Sequence, residues 1–351
     1  MKAGEGSGRR DVLNYIIRRI IAGAGLLLVV SLVVFAIFFL VPRLAGATPD
    51  SLATRYVGRA PTPEAVAAVR DRLNLDDPII VQYGRFVRGL FVGYDYDSGT
   101  DVIHCDAPCF GYSFVTNSEI WPQLLDRLPV TASLAVGAAV IWLVAGVAVG
   151  VLSALRRGSL LDRAAMMTAL AGVSLPIFFT GLVSLALFAY YLPIFPPGGS
   201  YTPFTENPLA WAHGLVLPWV TLAFLYAAMY ARLTRAGMLD TMGEDFIRTA
   251  RAKGLPERTV VAKHGLRAAI TPIITIFGLD FGLMLGGAVL TESTFSLPGL
   301  GKFAVDAIRG NDLPAVLGVT LLTAFFVVIA NLVVDLLYAW ADPRVRTGGR
   351  A

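Results

Sequence analysis

Residues 20–41 form an apolar run broken only by Gly23, Gly25 and Ser31, and about 20 apolar residues suffice to cross the hydrocarbon core of a bilayer as a helix. Five further runs follow, near residues 130–152, 166–192, 214–230, 272–290 and 314–337, each bounded by charges, prolines or glycines. The expected fold is therefore an all-α polytopic membrane protein with six transmembrane helices. Composition agrees, since 56% of the 351 residues are hydrophobic and 15% are charged, against about 25% charged in a soluble domain. That surplus excludes a disordered chain, a disulfide-stapled mini-protein and a nucleic-acid binder. A cleaved signal peptide is the competing reading of residues 20–41, because basic residues precede them and Ala45, Gly46 and Ala47 resemble a cleavage site. The run exceeds the roughly 7 to 15 apolar residues of such a signal, and Arg9 with Arg10 lacks the rest of a twin-arginine signal, so a retained first span is expected.

The basic excess, 29 Lys and Arg against 25 Asp and Glu, is informative only loop by loop. Six spans put both termini on one side. Segments 1–19, 153–165, 231–271 and 341–351 share that side and hold 19 of the 29 positive charges. The opposite loops hold none between Pro193 and His213, and only Lys302 and Arg309 between Thr291 and Leu313. The positive-inside rule then makes both termini cytoplasmic. The expected organisation is a cytoplasmic segment 1–19, a first span 20–41, an extracytoplasmic domain 42–129, a five-helix core 130–340 with a cytoplasmic loop 231–271, and a tail 341–351. Long translocated segments escape the charge rule, so the basic residues of 42–129 do not conflict with it.

Within 42–129, Thr62 and Pro63 open a helix carrying Val66, Val69 and Leu73 on one face. Beyond Gly93 comes a polar stretch, residues 94–114, containing the two cysteines of the chain, Cys105 and Cys109. On the oxidising side of a membrane a pair so closely spaced reads first as a disulfide. A metal site from His104, Cys105, Asp106 and Cys109 is the alternative, and two free thiols a third.

Segment 231–271 is the most informative. Thr241 and Glu244 have capping-box spacing, Gly254 fits a helix stop and Pro256 a second helix start. Between them Phe246, Ile247 and Ala250 share one helix face, with Arg248, Arg251 and Lys253 on its flank. Such a helix suits either lipid headgroups or a docked protein partner. Two acids within spans, Asp280 and Asp335, need explaining, since a charge at a span centre costs about 2.5 to 3.5 kcal/mol. Asp335 reads as a partner for the tail or a neighbouring helix. Asp280 reads as hydrated, arginine-paired or an ion ligand. Gly278, Gly282 and Gly286 recur every four residues, as do Gly146 and Gly150, a spacing that lets another helix approach closely.

No catalytic constellation appears. Gly299, Leu300, Gly301 and Lys302 resemble the tail of a phosphate loop, but Ser296 stands in place of its first glycine and Phe303 in place of its Ser/Thr. There is no H-E-x-x-H, no G-x-S-x-G and no paired histidines.

Several stretches together resemble the inner-membrane permease subunits of bacterial di- and oligopeptide ATP-binding-cassette importers, the subunit with the large first extracytoplasmic loop. They are NYIIRRIIAGAGLLLVVSLVVF, LNLDDPIIVQY, LPVTASLAVGAAVIWLVAGVAVGVLSALRRGSLLDR, DFIRTARAKGLPERTVVAKHGLRAAITPI, GGAVLTESTFSLPGLG and YAWADPRVR, in order from Asn14 to Arg346. The resemblance implies a type I importer permease fold in the bacterial cytoplasmic membrane, with residues 244–254 as the helix that docks on an ATPase. Its site residues would be Glu244, Phe246, Ile247, Arg248, Thr249, Ala250, Arg251 and Gly254. Arg248 and Thr249 depart from the general family pattern Glu-Ala-Ala-x-x-x-Gly, in the manner of the peptide branch, whereas Ala250 and Gly254 match it. The implied partners are a second related permease, two ATPases that hold ATP and magnesium, a solute-binding protein and a peptide substrate. No cofactor is implied for this chain itself. Related branches carry nickel chelates, sugars or haem, and an ion-coupled secondary transporter using Asp280 and Asp335 is the rival from another class.

The orientation is testable with single cysteines and a membrane-impermeant thiol reagent on intact cells. Cysteines at Tyr201 and at the native position Cys105 are expected to label, and those at Arg157 and Lys263 to stay unlabelled. Labelling of Lys263→Cys from outside would overturn the orientation.

Overall fold

A computed structural model describes residues 5–57, 62–97, 102–113, 115–310 and 312–341. Lys2, Arg344, Arg346 and Arg350 lie outside the described residues, as does the side chain of Asp335. In chain order the helices are α1 (Glu5–Phe35), α2 (Val41–Leu44), α3 (Pro49–Val57), α4 (Pro63–Arg72), α5 (Ile79–Val92), α6 (Ile120–Leu155), α7 (Leu160–Ser174), α8 (Ile177–Ser184), α9 (Pro208–Met242), α10 (Asp245–Ala252), α11 (Glu257–Thr259), α12 (Leu266–Leu285), α13 (Val289–Thr294), α14 (Leu300–Gly310) and α15 (Leu313–Ala341).

Among the described residues four helices are long and apolar enough to cross a membrane: Ile17–Leu44, Ile120–Leu155, Pro208–Met242 and Leu313–Val334. Two bent pairs bring the number to six if each is one span. Leu160–Ser174 and Ile177–Tyr191 meet at 102°, and Glu257–Ile270 and Pro272–Leu285 at 51°. The apolar run 166–192 is thus a broken helix and not a straight one. Pro176 is the cause, because it offers no N–H to the ladder and drives the residue before it out of helical conformation. Leu175 accordingly has φ −85° and ψ 130°.

The structure divides into two compact units, one made of the chain through Pro129 with Leu285–Val289 and the chain from Gly299, the other of Val130–Met284 with Leu290–Pro298. In the first, α1 continues through a π-helical turn at Ala36–Leu40 into α2. α3 and α4 then bury Leu52, Ala53, Tyr56 and Val69 in a small core with Leu75. Thr62 caps α4 as its sequence indicates, accepting from the Ala65 amide with Pro63 as the first helical residue. Arg70 lies 2.9 Å from Asp50 and 2.7 Å from Asp76 on the outside of this pair.

The fold is mostly helical and not all-α, because residues 94–97 and 102–105 pair as strands. β1 (Tyr94–Asp97) runs antiparallel to β2 (Val102–Cys105), with Tyr94 opposite Cys105. Alternation of Tyr with Asp puts the two rings of β1 on one face, where Tyr96 meets Tyr94 and Tyr112. β3 (Tyr112–Ser113) and β4 (Ser118–Glu119) form a second small pair. Cys105 and Cys109 are joined in a disulfide, both buried, with Cα atoms 5.6 Å apart, which corrects the expectation that Cys105 is open to an impermeant thiol reagent and leaves Tyr201 as the external labelling position. The first turns of α6 pack with α14 and α15 around Ile120, Leu124, Leu300, Phe303 and Ala315. Ser113 Oγ donates to the buried Asp312, which also accepts from the Ala315 amide at the start of α15. Burial pushes the Asp312 carboxyl up despite these bonds.

In the second unit the expected glycine spacing has a visible purpose. A Cβ at Gly146 would stand 2.7 Å from Tyr230 Cβ, and one at Gly150 would stand 2.6 Å from the Ala231 carbonyl, so α6 and α9 touch backbone to backbone. Gly278 and Gly282 are buried in α12. Gly286, in the first unit, leaves no room for a Cβ beside Thr323 of α15. Near the start of α7, Asp162 is 4% exposed and accepts from Arg235 at 2.7 and 2.9 Å, from the Gly158 amide at 2.8 Å and from Ser153. A buried carboxylate with that many donors is compensated as an ion. Thr131 donates to the fully buried Glu292 at 2.8 Å.

Gly150→Ala is expected to lower the thermal midpoint of the detergent-solubilised protein, since overpacking costs about 1–3 kcal/mol. Gly25→Ala, where a Cβ meets nothing within 4 Å, is expected to leave it unchanged. Equal midpoints for the two variants would contradict the close α6–α9 contact.

Candidate functional site

Residues 243–265 include the stretch 244–254 to which the resemblance assigns a role. α9 runs on to Met242, which makes Thr241 part of its last turn and not the cap of a new helix. Glu244 instead occupies the cap position of α10 in extended backbone, without a side-chain bond. The capping box expected from Thr241 and Glu244 is therefore not formed; the helix upstream had enough apolar burial to continue through it. Gly254 has φ +75°, the left-handed conformation that ends a helix and favours glycine. Pro256 caps α11, which passes through a π-helical stretch, Val260–Gly265, into α12.

The two sides of α10 are unlike. Ile247 is fully buried and Ala250 nearly so, both against Val260 with Met242 beside them. Phe246 faces away and is 47% exposed, in the company of exposed Glu244, Arg248, Thr249, Arg251 and Gly254. The expected common docking face of Phe246, Ile247 and Ala250 is corrected accordingly. Ile247 and Ala250 are three apart and form one stripe, which this chain covers with its own returning loop. Phe246 lies about 100° further round and is left as the large apolar side chain of the outer side.

The basic side chains near it are held by local partners. Arg248 lies 3.3 Å from Asp245, and Arg251 makes bonds of 2.7 and 3.1 Å to Glu257. The Thr249 hydroxyl donates to the Asp245 carbonyl at 2.9 Å. The arrangement offers an apolar anchor with a charged rim on a helix fixed from behind. It suits binding.

The remaining sequence candidates fall elsewhere. His104 has Asp95 at one ring nitrogen and Asp106 at 3.0 Å from the other, and the Asp95 carboxylate foremost raises its pKa. With both ring nitrogens engaged by acids and the cysteine sulfurs bonded to each other, the metal reading of His104, Cys105, Asp106 and Cys109 is overturned. Lys302 sits in the first turn of α14, bonded to Asp306 at 2.8 Å. Asp280 accepts from the Tyr230 hydroxyl at 2.9 Å, a partner other than the water, arginine or ion weighed from sequence. Tyr230 belongs to an aromatic cluster in which Trp142 stacks on Tyr226 with ring centres 4.8 Å apart. The Asp162–Arg235 pair escapes the sequence reading, although Ser159 followed three residues later by Asp162 has capping-box spacing and could have drawn attention to it. Ser159 does accept from the Asp162 amide.

Two family models cover nearly all of the chain. Residues 146–347 match the binding-protein-dependent transport system inner membrane component, and residues 12–135 match the N-terminal part of a binding-protein-dependent transport system membrane component. A Brucella abortus (strain 2308) protein named as a peptide transport system permease is 39% identical over 317 residues, 90% of this chain and 95% of its own length. The dipeptide transport system permease protein DppB of Escherichia coli (strain K12) is 34% identical over 358 residues, covering 95% of this chain and 99% of its own. A D,D-dipeptide transport system permease of the same strain is 37% identical over 345 residues, 93% and 96% of the two chains. With identity at this level along almost the whole length of each partner, the chain belongs to the family of inner-membrane components of binding-protein-dependent transport systems.

Proposed function

We propose that this chain is one permease subunit of an ATP-driven importer that moves di- or oligopeptides across the bacterial cytoplasmic membrane by alternating access. The family and the names of its relatives support the transport class and the peptide substrate. The loop charge count supports six spans with both termini cytoplasmic and residues 42–129 outside. On that orientation α10 lies beneath the membrane. A second related permease completes the pathway, a solute-binding protein delivers the peptide, and two ATPases supply the energy with their own ATP and magnesium. No covalent bond of the peptide changes, and this chain acts by transmitting motion.

The observation that carries the coupling role is the division of α10. Ile247 and Ala250 tie it to this chain, while Phe246 is presented outward among charged side chains. A helix fixed on one side and bearing an aromatic anchor on the other can pass a partner's movement into α9 and α12 without slack. A helix resting on lipid headgroups would need no such rear attachment.

Phe246→Asp tests this. An interface aromatic at a hot spot contributes about 2 kcal/mol or more, roughly thirtyfold in affinity. ATPase subunits are expected to be lost from the affinity-purified complex, or their stimulation by substrate-loaded binding protein to collapse, with membrane insertion intact. Ala250→Asp is expected to act differently, by placing a carboxylate inside this chain's own small core and lowering the thermal midpoint. Full retention and stimulation of the ATPases in Phe246→Asp would show that α10 does not couple.

A further inference from the structure

We infer that α5 is immersed in the outer leaflet of the membrane and presents Ile80, Val81, Phe91 and Val92 to lipid acyl chains. The leaflet rests on the orientation proposed above; the immersion itself does not. Residues 42–129 are expected from sequence as an extracytoplasmic domain, and α5, alone of the helices wholly within it, is placed in the bilayer.

Depth follows from the register of α5 against the first span. The apolar helix Ile17–Leu44 is 28 residues long, whereas the hydrocarbon core takes about 20. Wherever a window of that length is laid within it, Ser31 falls at least about five residues, some 7 Å, inside either edge. Ser31 Oγ is 2.9 Å from the Tyr83 hydroxyl of α5. One turn further along α1, Phe35 packs on Tyr83 and on Phe86, with ring centres 5.3 and 6.0 Å apart. Arg43, near the outer end of the span, donates to the carbonyls of Leu75 and Asp77 just before α5. The chain is thus held at the membrane edge before α5 begins, and α5 then reaches side chains at hydrocarbon depth.

Among the described residues nothing covers the opposite side of α5. Ile80 is 84% exposed, Phe91 78% and Val92 66%, positions that fall on one side of a helix. Water would be a costly neighbour for that stripe. The helix against which α5 packs exposes Leu28, Val29, Leu32, Val33 and Ile37 in the same apolar manner, so the bare face of α5 continues the lipid-facing surface of the span. The two charges of α5 fit this placement. Arg85 is paired with Asp77, and exposed Arg88 has a stem long enough to carry its guanidinium up to lipid phosphates. An amphipathic helix with bulky apolar residues on one side and an arginine beside them is suited to the interface.

The test uses the complete complex in proteoliposomes, with nitroxide labels on Ile80→Cys, Phe91→Cys and, as an aqueous reference, Asp71→Cys. Oxygen partitions into hydrocarbon and a neutral nickel chelate into water. At positions 80 and 91 oxygen collisions are expected to exceed nickel collisions several-fold, with the reverse at position 71. Nickel access at 80 and 91 equal to that at 71 would overturn the inference, and so would labels immobilised and shielded from both reagents, which means a protein partner covers the face. A second measurement needs no substitution: phospholipids with a photoactivatable acyl chain should leave adducts within residues 79–92 of the unmodified chain, and an adduct-free α5 beside a labelled α1 would contradict immersion. If the chain is inserted the other way round, the oxygen preference persists while the thiol-labelling pattern inverts, so the two failures are distinguishable.

Discussion

Hydrocarbon offers no hydrogen bond, so each polar group that a span carries must find its partner within protein. The polar contacts in the apolar helices follow from that constraint. Asp280, within a span, takes the Tyr230 hydroxyl; burial imposes the same need on carboxylates in the loops that flank the spans, where Asp162 gathers Arg235, Ser153 and the Gly158 amide and Glu292 takes the Thr131 hydroxyl. The same constraint gives the glycines their value. Apolar side chains gain little from leaving lipid for one another, so helices associate through close packing, and Gly146 and Gly150 let α9 approach α6 to backbone contact.

α10 departs from this inward economy. It keeps its aliphatic stripe for its own loop and turns Phe246 outward. On the proposed reading another protein pushes on this helix, which then has to serve as a rigid handle. Rigidity comes from burial of Ile247 and Ala250 and from the left-handed stop at Gly254, and the handle is what remains exposed.

The apolar runs were readable because their length is set by bilayer thickness, and the caps Thr62 and Gly254 because each meets a local need of the backbone. What the sequence concealed depends on contacts between distant segments. Nothing in the spacing of Phe246, Ile247 and Ala250 reveals that Val260 covers two of the three. Asp280 and Tyr230 are fifty residues apart. The break after Leu175 was available in principle from Pro176, yet the unbroken hydropathy of residues 166–192 outweighed it. The strand pair of Tyr94–Asp97 with Val102–Cys105 lay in a stretch whose glycine and aspartate content suggested irregular chain, while its alternation of Tyr and Asp pointed to a strand. α5 was hidden for another reason: with 14 residues it is too short to register as a span, and only its attachment to Ser31 gives its depth.

The central claim, that this chain serves ATP-driven peptide import, is tested most directly by transport itself. The permease would be purified with its partner components, reconstituted into liposomes, and given binding protein loaded with a labelled dipeptide. The account predicts accumulation that requires ATP on the side of the ATPases and that an imposed proton or sodium gradient cannot replace. Accumulation driven by an ion gradient without ATP would contradict it and would return Asp280 to the role of a coupling group.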